Sequence, residues 1–233
     1  EMWREFPESA TRAGNYKYID RLTVPTQARR DASVAFYERQ LAALARFDAA
    51  KLNASHRVDL TLMRNHFESS RWYLTTFCAW EWQPSSYNIG NGFGVLLNTP
   101  FAPLDDRLKL MLTRMENVPA YYAAAKASIA NPTLEHTQLA IQQNKGALGV
   151  FNDDLLKKLD ASALSAAEKA QFKARMDAAK QAITDHLAWL ITLETKLKAG
   201  PARSFRIGRA LYEQKFAHDI QSGFTAEQLY RRA

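Results

Sequence analysis

SAAEKAQFKARMDAAKQAITDHLAWLITLETKLKAGP, residues 165–201, decides the fold class. Ser165 followed by Glu168 is a capping box, in which each residue satisfies a backbone N–H of the other at a helix start. No glycine or proline follows until Gly200-Pro201, a pair that ends helices. The stretch reads as one helix over about 166–198.

The flanking sequence repeats the helical period. In residues 26–48, Val34, Tyr37, Leu41, Leu44 and Phe47 recur at spacings of three and four and share a face. Residues 55–80 also read as helical, with Val58, Leu62, Phe67, Trp72 and Phe77 as their apolar residues, and Ser55 is the expected N-cap. The polar run Asp48 to Ala54 suits a tight link between antiparallel helices. A helical pattern covers Leu104 to about Asn117, and Pro119 suits the first turn of the next helix, ending near Ala130. Asn131-Pro132 breaks the chain, and Thr133 caps a helix expected to run to about Leu159. A helix over about 205–221 and a capping box, Thr225 with Gln228, close the chain. No alternating strand pattern and no fixed repeat occurs. The expectation is an all-α array of about seven or eight helices, with 1–233 as a single helical region.

Residues 81–103 stand apart. Pro84, Gly90, Gly92, Gly94, Pro100 and Pro103 crowd there, so an irregular loop is expected. It carries Trp82, Tyr87, Phe93 and Phe101, which argues for a loop packed on the body and available for function.

Composition narrows the chemistry. The 233 residues are 47% hydrophobic and 24% charged, which excludes a disordered chain. The single cysteine, Cys78, excludes an intrachain disulfide and a cysteine zinc cluster, and between Phe77 and Trp80 it reads as a buried, inert thiol. No apolar run is long enough to span a bilayer. Zinc peptidase chemistry needs paired histidines with a glutamate. His56, His66, His136, His186 and His218 are too far apart in sequence to pair, and each reads as a solvent-facing helix residue. Ser85 and Ser86 lack a nucleophile elbow. Asp105-Asp106 and Asp153-Asp154 sit at predicted helix starts, where they complement the macrodipole. The run 90–94 lacks the Lys-Ser/Thr of a phosphate loop. No catalytic and no metal-ligating residue is therefore assigned.

The net charge of +7 is uneven. Residues 1–116 hold 15 basic and 13 acidic residues, a net of +2, and the remainder hold 16 and 11, a net of +5. Lys196, Lys198, Arg203, Arg206 and Arg209 carry the excess, with no acid from 195 to 212. Such a run mostly faces water. It also admits a carboxylate anchor or an acidic partner; nucleic acid is not the expected partner.

Several segments together resemble the bacterial 885 family of domains of unknown function. They are Phe6-Pro7-Glu8-Ser9-Ala10-Thr11 to Gly14, Tyr18 to Leu22, Trp82-Gln83-Pro84 with Tyr87, and Pro100-Phe101 with Arg107. Arg114-Met115 leading to Val118-Pro119, Asn131-Pro132-Thr133 to Gln142, and Phe205-Arg206-Ile207-Gly208 with Tyr212 and Lys215 complete the set. The resemblance implies a helical protein more than twice this length, a zincin-like metallopeptidase, exported or lipid-anchored in bacteria. Its metal motif, a His-Glu element followed by Pro-Gly-His, belongs to the C-terminal half and has no counterpart in this sequence. The chain is thus expected to be a non-catalytic N-terminal half that needs zinc only in the intact protein. This half would supply one wall of a peptide cleft, with Trp82, Tyr87 and Arg206 contacting substrate. The absence of a leader core near Glu1, and the capping box only two turns from Ala233, fit that reading. An apolar face left for the other half predicts self-association. The alternative is a helical binding module whose basic 196–209 region meets an acidic partner.

Overall fold

The computed structural model describes residues 1–233 and is all-α. Its main helices are α1 (Gln27–Leu44), α2 (Ala54–Trp72), α3 (Gly90–Asn98), α4 (Leu104–Met115), α5 (Val118–Ser128), α6 (Leu134–Leu148), α7 (Asp153–Ala161), α8 (Ala166–Ala199) and α9 (Arg209–Asp219). The only β pairing is a single bridge between Thr133 and Arg203.

Local chemistry sets the boundaries. Ser165 and Glu168 form the reciprocal box that starts α8. Thr133 caps α6 by accepting from the His136 backbone N–H, and Pro119 lies in the first turn of α5. Asp105-Asp106 and Asp153-Asp154 occupy the first turns of α4 and α7. Several boundaries differ from expectation: α9 begins at Arg209 rather than near 205, and α2 ends at Trp72. The cap of α2 is Asn53, whose Oδ1 accepts the His56 N–H at 2.8 Å, so the helix begins before Ser55. The helix expected from Thr133 to Leu159 is two helices. Asn152 accepts the Leu155 N–H at 3.0 Å and caps α7, and the bend places Phe151 in the core against Phe93.

The chain divides into two compact units. The first comprises residues 1–26 and 81–203. Within it, α8 packs along α6, α5 and α4, and α3 lies on α4 and α6. The core is built around Phe93, Leu96, Leu108, Met111, Phe172, Ile183 and Leu190. A side chain of this size contributes about 1.5–3 kcal/mol when fully buried, so this stripe outweighs the weak propensity of any one residue on α8. One histidine belongs to it. His186 is 1% exposed, not solvent-facing, because Phe172, Met176, Ala179, Ile183, His186 and Leu190 fall on one face.

The second unit comprises residues 27–80 and 204–233. Here α1 and α2 form an antiparallel hairpin across the Ala49–Lys51 turn, and α9 packs on α2. The hairpin closes through Phe36 and Tyr37 on α1 and Leu60, Phe67 and Trp72 on α2. Its seam is therefore displaced from the expected face: Val58 and Leu62 are 57% and 53% exposed, and Phe47 lies outside. Cys78, in the left-handed region at φ 49°, is half-buried and donates toward the Leu74 carbonyl at 3.4 Å.

Residues 81–103 are not one irregular loop. They contain α3, a nine-residue helix with glycine at 90, 92 and 94. Each glycine costs a helix interior about 1 kcal/mol relative to alanine. The cost is offset because Phe93 and Leu96 become fully buried and because two of the glycines permit close approach. A Cβ on Gly90 would stand 3.3 Å from the Ala147 Cα on α6, and one on Gly92 would stand 2.6 Å from the Arg114 Nη2.

Candidate functional site

The glycine-rich helix forms one wall of a cleft of about 830 Å³. Ser85, Ser86 and Asn88 supply one end, Asn91, Gly94 and Asn98 line α3, and Gln143 and Gly146 line α6. No charged or titratable side chain borders it. Amides, hydroxyls and glycine backbone make this a surface for hydrogen bonding to a neutral polar ligand; it holds no acid, base or metal ligand.

The segment before α3 is held from below. The Ala130 and Asn131 N–H groups donate to the Glu81 carbonyl at 2.9 and 3.1 Å, and the Thr133 N–H donates to the Trp82 carbonyl at 3.1 Å. Asn144 on α6 is fully buried and donates from Nδ2 to the carbonyls of Tyr87, at 3.2 Å, and Ala140, at 2.9 Å. It accepts the Tyr122 hydroxyl at 2.6 Å. Arg107 closes the far end of α3, donating to the Leu96, Leu97 and Ala102 carbonyls at 2.8–2.9 Å. The Leu96 and Leu97 carbonyls are among those a helix C-terminus leaves unsatisfied, and the Ala102 carbonyl lies in the loop that follows.

Trp82 and Tyr87, expected to touch substrate, are 3% and 4% exposed. The Trp82 ring meets the His136 ring edge at 5.4 Å and carries the Arg203 guanidinium 4.7 Å from its centroid. Tyr87 packs edge-on against Tyr121. Both are in the first unit, whereas Arg206 is in the second, exposed, and 6.0 Å from the centroid of Phe205. Much of the basic run is engaged. Lys198 pairs with Glu194 at 2.7 Å, and Arg209 with Glu213 and Glu227 at 2.7 and 3.2 Å.

Beside the cleft lies a second cavity of about 380 Å³, which the sequence reading does not anticipate. Glu8, Arg12, Asn88, Asn91, Arg114 and Tyr121 border it. Burial pushes the Tyr121 phenol pKa up, keeping it a donor, and lowers that of the Arg114 guanidinium. The five histidines form no site: no three His, Cys, Asp or Glu side chains cluster in a way that could hold a metal ion.

This helical chain, with a polar cleft, belongs to the bacterial family of proteins of unknown function called DUF885, whose model matches residues 7–233. A solved structure described as "a putative lipoprotein of unknown function from Shewanella oneidensis" is 49% identical and superposes with a TM-score of 0.97. The match covers 99% of this chain and 42% of that one, so the chain spans less than half of that relative's length. Comparison with curated proteins gives no match.

Proposed function

We propose that this chain is the N-terminal, substrate-holding half of an exported or lipid-anchored bacterial protein of the zinc-dependent peptidase type, and is not catalytic by itself. The observation that carries the reading is the uncharged cleft along α3, whose amide, hydroxyl and glycine lining suits an extended peptide backbone. The lipoprotein description of the Shewanella relative supports export, and no helix is long and apolar enough to cross a membrane. In this reading Trp82 and Tyr87 act from beneath, holding the backbone that borders the cleft, while Arg206 is an exposed guanidinium of the second unit open to an acidic group. Zinc and the hydrolytic groups belong to the part of the relatives' length beyond this match.

The test uses the longer protein. Peptide cleavage is expected to stop with a chelator and return with zinc. Gly146 has open space where its Cβ would stand, so Gly146→Phe is expected to fold and to raise KM about tenfold by filling the cleft. Cleavage indifferent to chelator ends the zinc assignment, and an unchanged KM in Gly146→Phe ends the assignment of the cleft.

A further inference from the structure

Arg114 is a buried cation, 5.6 Å from the Phe93 ring centroid, with most of its donors unused. It is 3% exposed, and its one hydrogen bond runs from Nη1 to the Ile19 carbonyl at 2.8 Å. Its Nε is buried without a partner. The acidic residue on the same cavity wall is committed elsewhere, since the two Glu8 oxygens accept the Thr23 N–H at 2.9 Å and the Thr23 hydroxyl at 3.0 Å. With Arg12 and Arg114 against Glu8, the cavity carries one excess positive charge. The Glu8 and Asp20 charges act on the Arg114 guanidinium from a distance, but neither forms an ion pair with it, so its hydrogen-bonding capacity stays mostly unused. A second donor faces the same cavity: Asn88 accepts the Gly90 N–H through Oδ1, and its Nδ2 is buried without a partner.

We propose that this cavity is an anion site that takes the carboxylate of a small polar molecule. The guanidinium fork matches a planar carboxylate bidentately, and Asn88 Nδ2 and the Tyr121 hydroxyl add neutral donors. The approach is built in. Asn88, Asn91 and Val95 border both this cavity and the uncharged cleft, so a polar body in the cleft can pass its anionic end to Arg114. A short peptide with a free C-terminus has that shape, as does a free organic acid. The site stands on Arg114 whether or not the longer protein cleaves peptides, so binding rather than turnover tests it.

The experiment is calorimetric titration of the 233-residue chain at low ionic strength with trialanine, trialanine amide, acetate and inorganic phosphate. Trialanine is expected to bind saturably and the amide about tenfold more weakly. Acetate competing with trialanine marks the carboxylate alone as sufficient, and acetate failing to compete marks a peptide end as the ligand; either supports the site. Arg114→Gln is expected to erase the difference between trialanine and its amide, and Arg114→Lys to keep part of it. Gly92→Ala, which crowds Nη2 without removing the charge, is expected to weaken trialanine while circular dichroism shows a folded chain. Equal binding of trialanine and its amide, binding of neither, phosphate binding more tightly than trialanine, or an unchanged preference in a folded Arg114→Gln would each overturn the proposal.

Discussion

Two buried polar side chains of the first unit differ in how they are satisfied, and the difference predicts opposite outcomes. His186 lies between the Tyr122 ring, at 4.6 Å, and the Trp189 ring, at 5.4 Å, and neither ring nitrogen has a partner. Burial, and then the Lys126 charge, lower its pKa to about 3. A folded pKa below the unfolded value near 6.5 gives stability that is complete above about pH 6.5 and lost as pH falls toward 3. The loss attributable to this group between pH 7 and 5 is about 2 kcal/mol. His186→Phe keeps a ring in the slot and removes the titration. In urea unfolding, its stability is expected to fall less than that of the native chain across that interval, by about this amount. Asn144 is the converse case. Asn144→Ala strands the Tyr122 hydroxyl and the Tyr87 carbonyl, and a loss of about 2–4 kcal/mol is expected in the same assay.

At the scale of elements, the caps and breaks were legible because they are short-range chemistry. Ser165 with Glu168, Thr133, Pro119 and the Thr225–Gln228 box all stand where the spacing puts them. The stretch 81–103 was misread because glycine was weighed by helix propensity alone. What propensity omits is the neighbour across the interface, and the glycines of α3 separate on that ground. Gly94 has nothing nearer than 3.9 Å to a built Cβ, the Asn98 side chain, whereas Gly90 would meet the Ala147 backbone at 3.3 Å. Gly94→Ala is expected to stabilise by about 0.5–1 kcal/mol through propensity. Gly90→Ala is expected to destabilise by about 1–3 kcal/mol by forcing α3 off α6. Thermal unfolding of the two variants checks both signs. The family segments take on physical meaning at the same scale: Arg107 satisfies the end of α3, Glu8 ties down Thr23, and Arg114 reaches Ile19. Gly208, at φ 77°, adopts a conformation that residues with a Cβ rarely take, just before α9. The cavity around Arg114 was not legible, since Glu8, Asn88 and Arg114 are brought together only by packing.

At the scale of the whole molecule, apolar burial is divided unequally between the two units. Every residue of the main core belongs to the first unit. Nine of the twelve exposed large hydrophobic residues, Phe47, Val58 and Leu62 among them, belong to the second. These exposed side chains of the second unit are the surface on which the C-terminal part proposed above would pack. The unequal burial also grades local stability. The α9 helix buries no residue. Within its unit it is held by polar contacts: Trp72 donates to Gln214 at 3.0 Å, Tyr73 to Asp219 at 2.7 Å, and Asn65 to the His218 carbonyl at 3.2 Å. Lys215 pairs with Asp219 on the helix itself. Each such bond contributes about 1 kcal/mol net, so opening α9 costs about 3 kcal/mol and slows amide exchange by about a hundredfold. Opening α8 between Phe172 and Leu190 exposes the main core and requires global unfolding of its unit. Hydrogen exchange followed by mass spectrometry is therefore expected to label Arg209–Asp219 far ahead of the α8 core. Phe172–Leu190 is expected to lose its protection only with global unfolding. Trp72→Phe, which keeps the ring and deletes the donor to Gln214, is expected to speed exchange in α9 about fivefold and leave α8 unchanged. Equal protection of α9 and α8 would mean that apolar burial, rather than these polar contacts, holds the second unit together.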